Sequence, residues 1–259
     1  MSEASFQIGR AVALVSALAL ALALERQRPH ARLRISWGTN LGLWAVDVVV
    51  IGVVCGACGW TTAQWAAERR LGLLTALGAP AWLGTGVAIV ALDAVAYFWH
   101  RANHRLPVLW RFHRVHHADA GFHTTTALRF HPGELLLALP VRLAAIVLLG
   151  VPPAGVLVFE VVFGAANLLV HGNFDLPVQL ERLLQWVFVL PALHRLHHSR
   201  ERRELDSNFG TILSCWDRWL ATLTPTGSAR SVETGLPGDP PGTRVSLGRA
   251  LAQPFFDAA

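Results

Sequence analysis

Eight of the chain's twelve histidines fall into three short clusters. HxxxH contains His100 and His104, HxxHH contains His113, His116 and His117, and a second HxxHH contains His194, His197 and His198. Residues three and four apart share one face of a helix, so each cluster fans its imidazoles over one side of a turn. Neutral imidazole suits iron, zinc, copper and nickel, and eight such side chains exceed the three or four protein ligands one metal takes. The pattern predicts two metals held between helices. Incidental clustering accounts for it poorly, because eleven of the twelve histidines lie between His100 and His198.

The rest of the chain limits where such a centre can sit. Of 259 residues, 53% are hydrophobic and only 15% charged, which is too apolar for an ordinary soluble domain. The expected fold class is all-α: a polytopic membrane protein with about four to five membrane helices and a cytoplasmic, helical, histidine-rich cap. The net charge of +5 is carried by arginine alone, since no lysine occurs. The arginines flank apolar runs rather than forming one basic stripe, so they read as topology signals and not as a nucleic-acid-binding face.

Phe6–Leu24 is apolar enough for a retained anchor, a better reading than a signal peptide because further spans follow. Arg26, Arg28, Arg32 and Arg34 come next and mark a cytoplasmic loop, which puts the N-terminus outside. Leu41–Trp60 then runs outward, Thr61–Pro80 forms an outer connection with a short amphipathic piece, and Trp82–Trp99 returns. Leu135–Val151 and Val156–Val170 make a hairpin. Leu176–Leu190, interrupted by Gln179, Glu181, Arg182 and Gln185, reads as an interfacial helix. On this topology every histidine cluster lands on the cytoplasmic side of an integral, multi-pass protein. Residues 1–92 are membrane helices and connections, 93–223 the histidine-bearing domain, and 224–259 an irregular Pro- and Gly-rich tail. Cys55 and Cys58 read as small-residue packing within a membrane helix, and Cys215 stands alone.

Two further stripes touch the clusters. Asp93, Tyr97, His100 and His104 are spaced i, i+4, i+7, i+11 on one helical face. An acid in a membrane helix is costly unless paired, so Asp93 is expected to orient a neighbouring ligand or to tie two helices together. Asn167 and His171 are also i, i+4, with Glu160 two turns earlier on roughly the same face. His171 is a good ninth ligand. Asn167 either reaches a metal through water or bonds another helix.

LDAVAYFWHRANH, WRFHRVHHAD, TTALRFHPGE, HGN and LHRLHHSRERRELDSNFGTILSCWDRW occur in that order between about Asp93 and Leu223. This set resembles the fatty acid hydroxylase and sterol desaturase superfamily of membrane oxygenases. The resemblance implies two non-haem iron ions that activate dioxygen against a C–H bond of a lipid, whether sterol, fatty acyl or related. It carries the ligand role to His100, His104, His113, His116, His117, His194, His197 and His198, and gives His171 the family's additional helix position. His131, in its Arg-Phe-His-Pro setting, matches a family signature and ranks below these nine; His123 has weaker support, and Thr124–Thr126 read as packing or capping groups. Breaking such a bond is beyond acid-base side chains and needs a redox metal. No Rossmann glycine fingerprint is present, so the electron donor is expected to be a separate protein.

Three other classes compete for the same histidines. A membrane haem electron carrier needs histidine pairs within facing spans. A metal transporter places its ligands near mid-membrane on broken helices. A zinc hydrolase needs a general base of the HExxH kind, which is absent.

Overall fold

Five apolar runs form helices long and apolar enough to cross a membrane. In this computed structural model, which describes residues 3–55, 57–226 and 232–256, the described residues form no strand, only three isolated bridges. The runs lie in α1 (Glu3–Gln27), Trp37–Ala76, α5 (Ala81–Arg105), α7 (Pro132–Leu149) and α8 (Pro153–Val170). Trp37–Ala76 breaks into α2 (Trp37–Val54), α3 (Cys58–Glu68) and α4 (Leu73–Ala76); between α5 and α7 lies α6 (Pro107–His117). Eighteen residues, the length of α2, reach about 27 Å, close to the hydrocarbon thickness. Val12, Val15, Val48, Val49 and Leu148 point outward, as lipid-facing positions do.

Helix contacts within the bundle rely on small residues, which let backbones approach closely. Gly164 of α8 packs on Leu14 of α1, and Gly155 of α8 packs on Ala88 of α5. The half-buried Glu160 is paired within the bundle, accepting from Arg10 at 2.7 Å and from Arg142, which joins α8 to α1 and α7. At the end remote from the histidines, Gly72 (φ +96°) lies so close to Gly150 (φ +69°) that no Cβ would fit between them.

At the other end the chain gathers its polar segments. Pro107 stands at the first position of α6, which its missing N–H suits, and sets the corner after α5. The arginine loop reaches the same end: Pro29 bridges to Phe174, and His30 N–H donates to the Asn173 carbonyl at 3.0 Å. The short helices α9 (Val178–Leu184), α10 (Pro191–His197), α11 (Arg202–Leu205) and α12 (Cys215–Trp219) follow. α9 buries none of its residues and leaves Leu183 exposed, which suits the interfacial reading of this stretch.

Two expectations are corrected. Cys55 and Cys58 form a disulfide instead of packing as separate small side chains; α2 ends at Val54, and the break before α3 lets Cys55 turn toward Cys58, the first residue of α3. The tail is not wholly irregular, because Leu247–Phe256 forms α13, which packs on α2 and α6 and buries Ala250 with Leu43 and Val115. Its apolar residues recur at helical spacing behind the Pro- and Gly-rich stretch. Residues 227–231 and 257–259 of that tail lie outside the described residues.

Candidate metal centre

Nine histidines converge where α5, α6, α8 and α10 meet. α5 contributes His100 and His104, α6 contributes His113, His116 and His117, and α10 contributes His194 and His197; His171 and His198 cap the C-terminal ends of α8 and α10. Among the described residues they form two groups in which the ligand atoms lie within 4.8 Å of one another. His100, His104, His113, His117 and His197 make the first, and His116, His171, His194 and His198 the second.

Backbone and carboxylate acceptors fix the orientation of five rings. His100 Nδ1 donates to the Phe209 carbonyl at 2.8 Å, His171 Nδ1 to the Asn167 carbonyl at 2.7 Å, and His197 Nδ1 to the Ser207 carbonyl at 2.7 Å. His116 Nδ1 donates to the Arg129 carbonyl at 3.3 Å, and His113 Nδ1 to Glu134 Oε1 at 2.8 Å. Carbonyl and carboxylate oxygens only accept, so each of these Nδ1 atoms carries the proton and each Nε2 keeps a lone pair.

That tautomer assignment has a consequence between the rings. His116 Nε2 and His171 Nε2 are 3.0 Å apart, and His194 Nε2 is 2.9 Å from His171 Nε2. His116 and His171 both carry their proton on Nδ1, so the two lone pairs facing each other at 3.0 Å share no proton. Two ligands about 2.1 Å from one cation and at right angles to each other are about 3 Å apart, so the spacing fits cis ligands of a metal. In the first group His100 Nε2, His197 Nε2 and both nitrogens of His104 are buried without a hydrogen-bond partner. An all-imidazole donor set of this kind suits iron, and outer acceptors of the kind seen here orient metal-bound histidines.

His116, His117, His171, His194, His197 and His198 are neutral at pH 7. Burial, reinforced by neighbouring imidazoles, holds His116, His117, His194 and His198 well below the ordinary histidine range. Burial lowers His171 to about 4 and His197 to about 3. Ring packing adds rigidity, with Phe130 stacked on His116 at 4.6 Å between centroids. Centroids only 4.3 to 5.1 Å apart among the rings of the second group leave no slot for a haem between them.

Beside the histidines lies an apolar cavity of about 250 Å³. His100, His113, His116, His171 and His194 line it together with Leu92, Ala96, Trp99, Phe130, Ala138, Phe159 and Phe163. Glu134, against His113, and Arg142, paired with Glu160, both line it on α7. Eight residues separate them, about 12 Å along the helix axis.

The other expected site residues take different places. Asp93 touches no histidine: its carboxylate accepts from Ile212 N–H at 3.2 Å, Leu213 N–H at 3.1 Å and Trp216 Nε1 at 2.8 Å. Tyr97 bonds Thr222 Oγ1 at 2.7 Å. The stripe does share one face, and that face grips segment 209–222, whose Phe209 carbonyl orients His100. The Asn167 side chain donates to the Ala127 carbonyl at 3.2 Å, and only its backbone carbonyl serves His171. His131 stands outside both groups, since Nδ1 accepts from Gly133 N–H at 2.9 Å and Nε2 donates to the Leu251 carbonyl at 3.2 Å, which occupies both nitrogens. His123 caps the 3-10 turn Thr124–Leu128 and pairs with Glu25 at 2.5 Å; Thr126 closes that capping box, as expected of a capping group.

Several supporting residues were not singled out in the sequence. Glu134 binds His113 and also accepts from Asn103 Nδ2 at 3.1 Å. Asn40, Asp119 and Arg129 form a buried network beneath HxxHH: Asn40 Nδ2 donates to Asp119 at 2.8 Å, and Arg129 donates to the Val115 carbonyl at 2.7 Å and to Asn40 Oδ1 at 3.1 Å. Their one visible signal is a charged or amide side chain at the margin of an apolar run.

Comparison with known proteins identifies a family and several relatives. The profile of the family described as fatty acid hydroxylase matches residues 85–222. An ornithine lipid hydroxylase of Rhizobium tropici is 32% identical over 174 residues, covering 65% of this chain and 49% of the relative. An alkylglycerol monooxygenase of Danio rerio is 31% identical over 142 residues, 54% of this chain and 30% of the relative. A cholesterol 25-hydroxylase-like protein of Danio rerio is 28% identical over 139 residues, 52% of this chain and 53% of the relative. The chain thus spans about half or less of the length of these curated relatives. No solved structure matches it.

Proposed function

The chain belongs to the fatty acid hydroxylase family, and on that premise we propose that it is an integral membrane oxygenase that hydroxylates a lipid. The facing lone pairs of His116 and His171 carry this reading, because a cation between them resolves the contact. Two non-haem irons are assigned, one to His100, His104, His113, His117 and His197, the other to His116, His171, His194 and His198. When bound, they supply the dioxygen activation that no side chain provides.

The chain's own residues do the rest. Neutral imidazoles offer lone pairs without a proton to displace. Glu134 holds His113 in one tautomer, and carbonyl acceptors do the same for His100, His116, His171 and His197. The walls formed by Leu92, Ala96, Phe159 and Phe163 exclude water and take an acyl chain alongside the histidines. The overall balance is RH + O2 + 2 electrons + 2 protons giving ROH + H2O. Hydroxylation is favoured over desaturation because the similar proteins include an ornithine lipid hydroxylase and alkylglycerol monooxygenases. Electrons come from a separate carrier protein.

The histidine end is assigned to the cytoplasmic side. The loop bearing Arg28, Arg32 and Arg34 packs there, as positive-inside loops do, whereas the Cys55–Cys58 disulfide lies at the opposite end of α2, where an oxidising outer compartment suits it.

The test is metal analysis of the purified protein together with mass spectrometry of membrane lipids from cells with and without the gene. About two irons per chain and a lipid heavier by one oxygen are expected. A single zinc, a haem spectrum, or identical lipid profiles would overturn the reading.

A further inference from the structure

A second concavity, of about 400 Å³, lies beside the arginine loop. Arg32, Arg34, Arg195, Arg200 and Arg244 line it, with Glu233 as the one carboxylate among its lining residues. Arg195 pairs with Asp175 and Arg200 with Glu233, whereas Arg32 and Arg34 are exposed and, among the described residues, have no side-chain partner. The loop is held in place by backbone: Gly121 lies so close to the Arg34 carbonyl that no Cβ would fit.

The buried ring of Phe122 also lines this cleft. It stacks on His171 at 5.7 Å and packs on His198 at 5.1 Å between centroids. The cleft and the lipid cavity share no lining residue. A basic surface therefore approaches the second histidine group by a route that a lipid in the cavity does not use.

We propose that this cleft docks an acidic one-electron carrier protein, with Phe122 between that partner and His171, His194 and His198. The inference rests on the proposed oxygenase reading, which requires two electrons per turnover. Each docked carrier would give up one electron to the centre that His116, His171, His194 and His198 would hold, and two deliveries would complete the balance written above. A carrier is favoured over a lipid headgroup by the spread of the charge: one phosphate pairs with one or two arginines, whereas an acidic protein face engages several at once and is steered by them.

The experiment uses the full chain in phosphatidylcholine nanodiscs and an acidic [2Fe–2S] ferredoxin as probe. Ferredoxin is expected to bind the metal-free protein with an affinity that falls as salt rises. Arg32→Glu with Arg34→Glu is expected to weaken binding at least about tenfold, and to slow oxidation of reduced ferredoxin by the iron-loaded protein in parallel. Arg202→Glu with Arg203→Glu makes the same charge change outside the cleft, on exposed residues, and is expected to cost less than about threefold. Bound iron per chain reports folding of each variant. Equal losses from the two pairs, or none from the first, would overturn the proposal. So would phosphatidylglycerol retained by the parent and lost by the Arg32/Arg34 variant with the ferredoxin rate unchanged, since the cleft would then be a headgroup site. Lipid product formed with dithionite alone separates a failure of this surface from a failure of the oxygenase reading.

Discussion

His116 and His171 face each other through Nε2 atoms 3.0 Å apart while each donates its Nδ1 proton to a backbone carbonyl. The two rings come from different helices and belong to the same group of four. His197 belongs to the other group. Removing one ligand from each group therefore tests whether there are two sites. His116→Ala and His197→Ala are each expected to lower bound iron by about one ion per chain and to abolish lipid oxidation, with membrane insertion retained. Iron content is read by elemental analysis of purified protein; either variant at parental iron and activity would break the two-site assignment.

Glu134 directly orients a histidine of the first group, since His113 Nδ1 donates to its carboxylate at 2.8 Å. Loss of such an outer partner typically costs 10- to 100-fold in metal affinity. Glu134→Ala is expected to show that loss in a chelator competition. Glu134→Gln keeps an acceptor oxygen for His113 and is expected to recover most of it. Equal affinities for the Ala variant and the parent would leave Glu134 as a packing residue.

Asp93 makes a separable case, because its three hydrogen bonds all go to residues 212, 213 and 216. Asn offers one acceptor oxygen where Asp offers two, and its amide group would face N–H donors. Asp93→Asn is expected to lower stability by about 1–3 kcal/mol, the cost of unsatisfied buried donors, with iron per folded chain unchanged. Thermal unfolding and iron content measured on the same preparation distinguish this from a direct role at the metal, which would lower iron at parental stability.

The sequence was most legible where a period governs the chain. The i, i+3, i+4 spacing of His113, His116 and His117 and of His194, His197 and His198 marked the convergent faces, and long apolar runs marked the spans. Asp93 was legible as a costly acid in need of partners, but not which partners: segment 207–216 has no period, so its approach to α5 is set by tertiary contacts alone. The same holds for Glu134, whose position in the first turn of α7 matters only because α6 packs across it. His131 stayed open for the converse reason, since a histidine beside a proline fits a ligand motif and a helix cap equally well, and its bonds to Gly133 and Leu251 are tertiary and local geometry that the motif does not carry. The sequence left the nine ligands as one pool; their division into five and four depends on how α8 and α10 cross α6.

The depressed histidine values set the acid stability of the metal-free protein. An unfolded histidine titrates near 6.5, whereas His171 and His197 titrate at about 4 and about 3 in the fold, and His116, His117, His194 and His198 lie well below their ordinary range. Below about pH 6.5 the unfolded chain therefore binds more protons than the folded one, so stability falls with falling pH. The contribution of these groups is present in full above 6.5 and is lost as pH drops toward the folded values. The unfolding midpoint of the metal-free protein is expected to be insensitive to these groups between pH 8 and 7 and to drop steadily below about 6.5. Bound iron competes with protons for the same lone pairs, so the loaded protein should keep its midpoint to lower pH than the metal-free form. Midpoints followed by scanning fluorimetry across this range check both statements, and a metal-free protein equally stable at pH 7 and pH 5 would show that these rings are not buried in their neutral form.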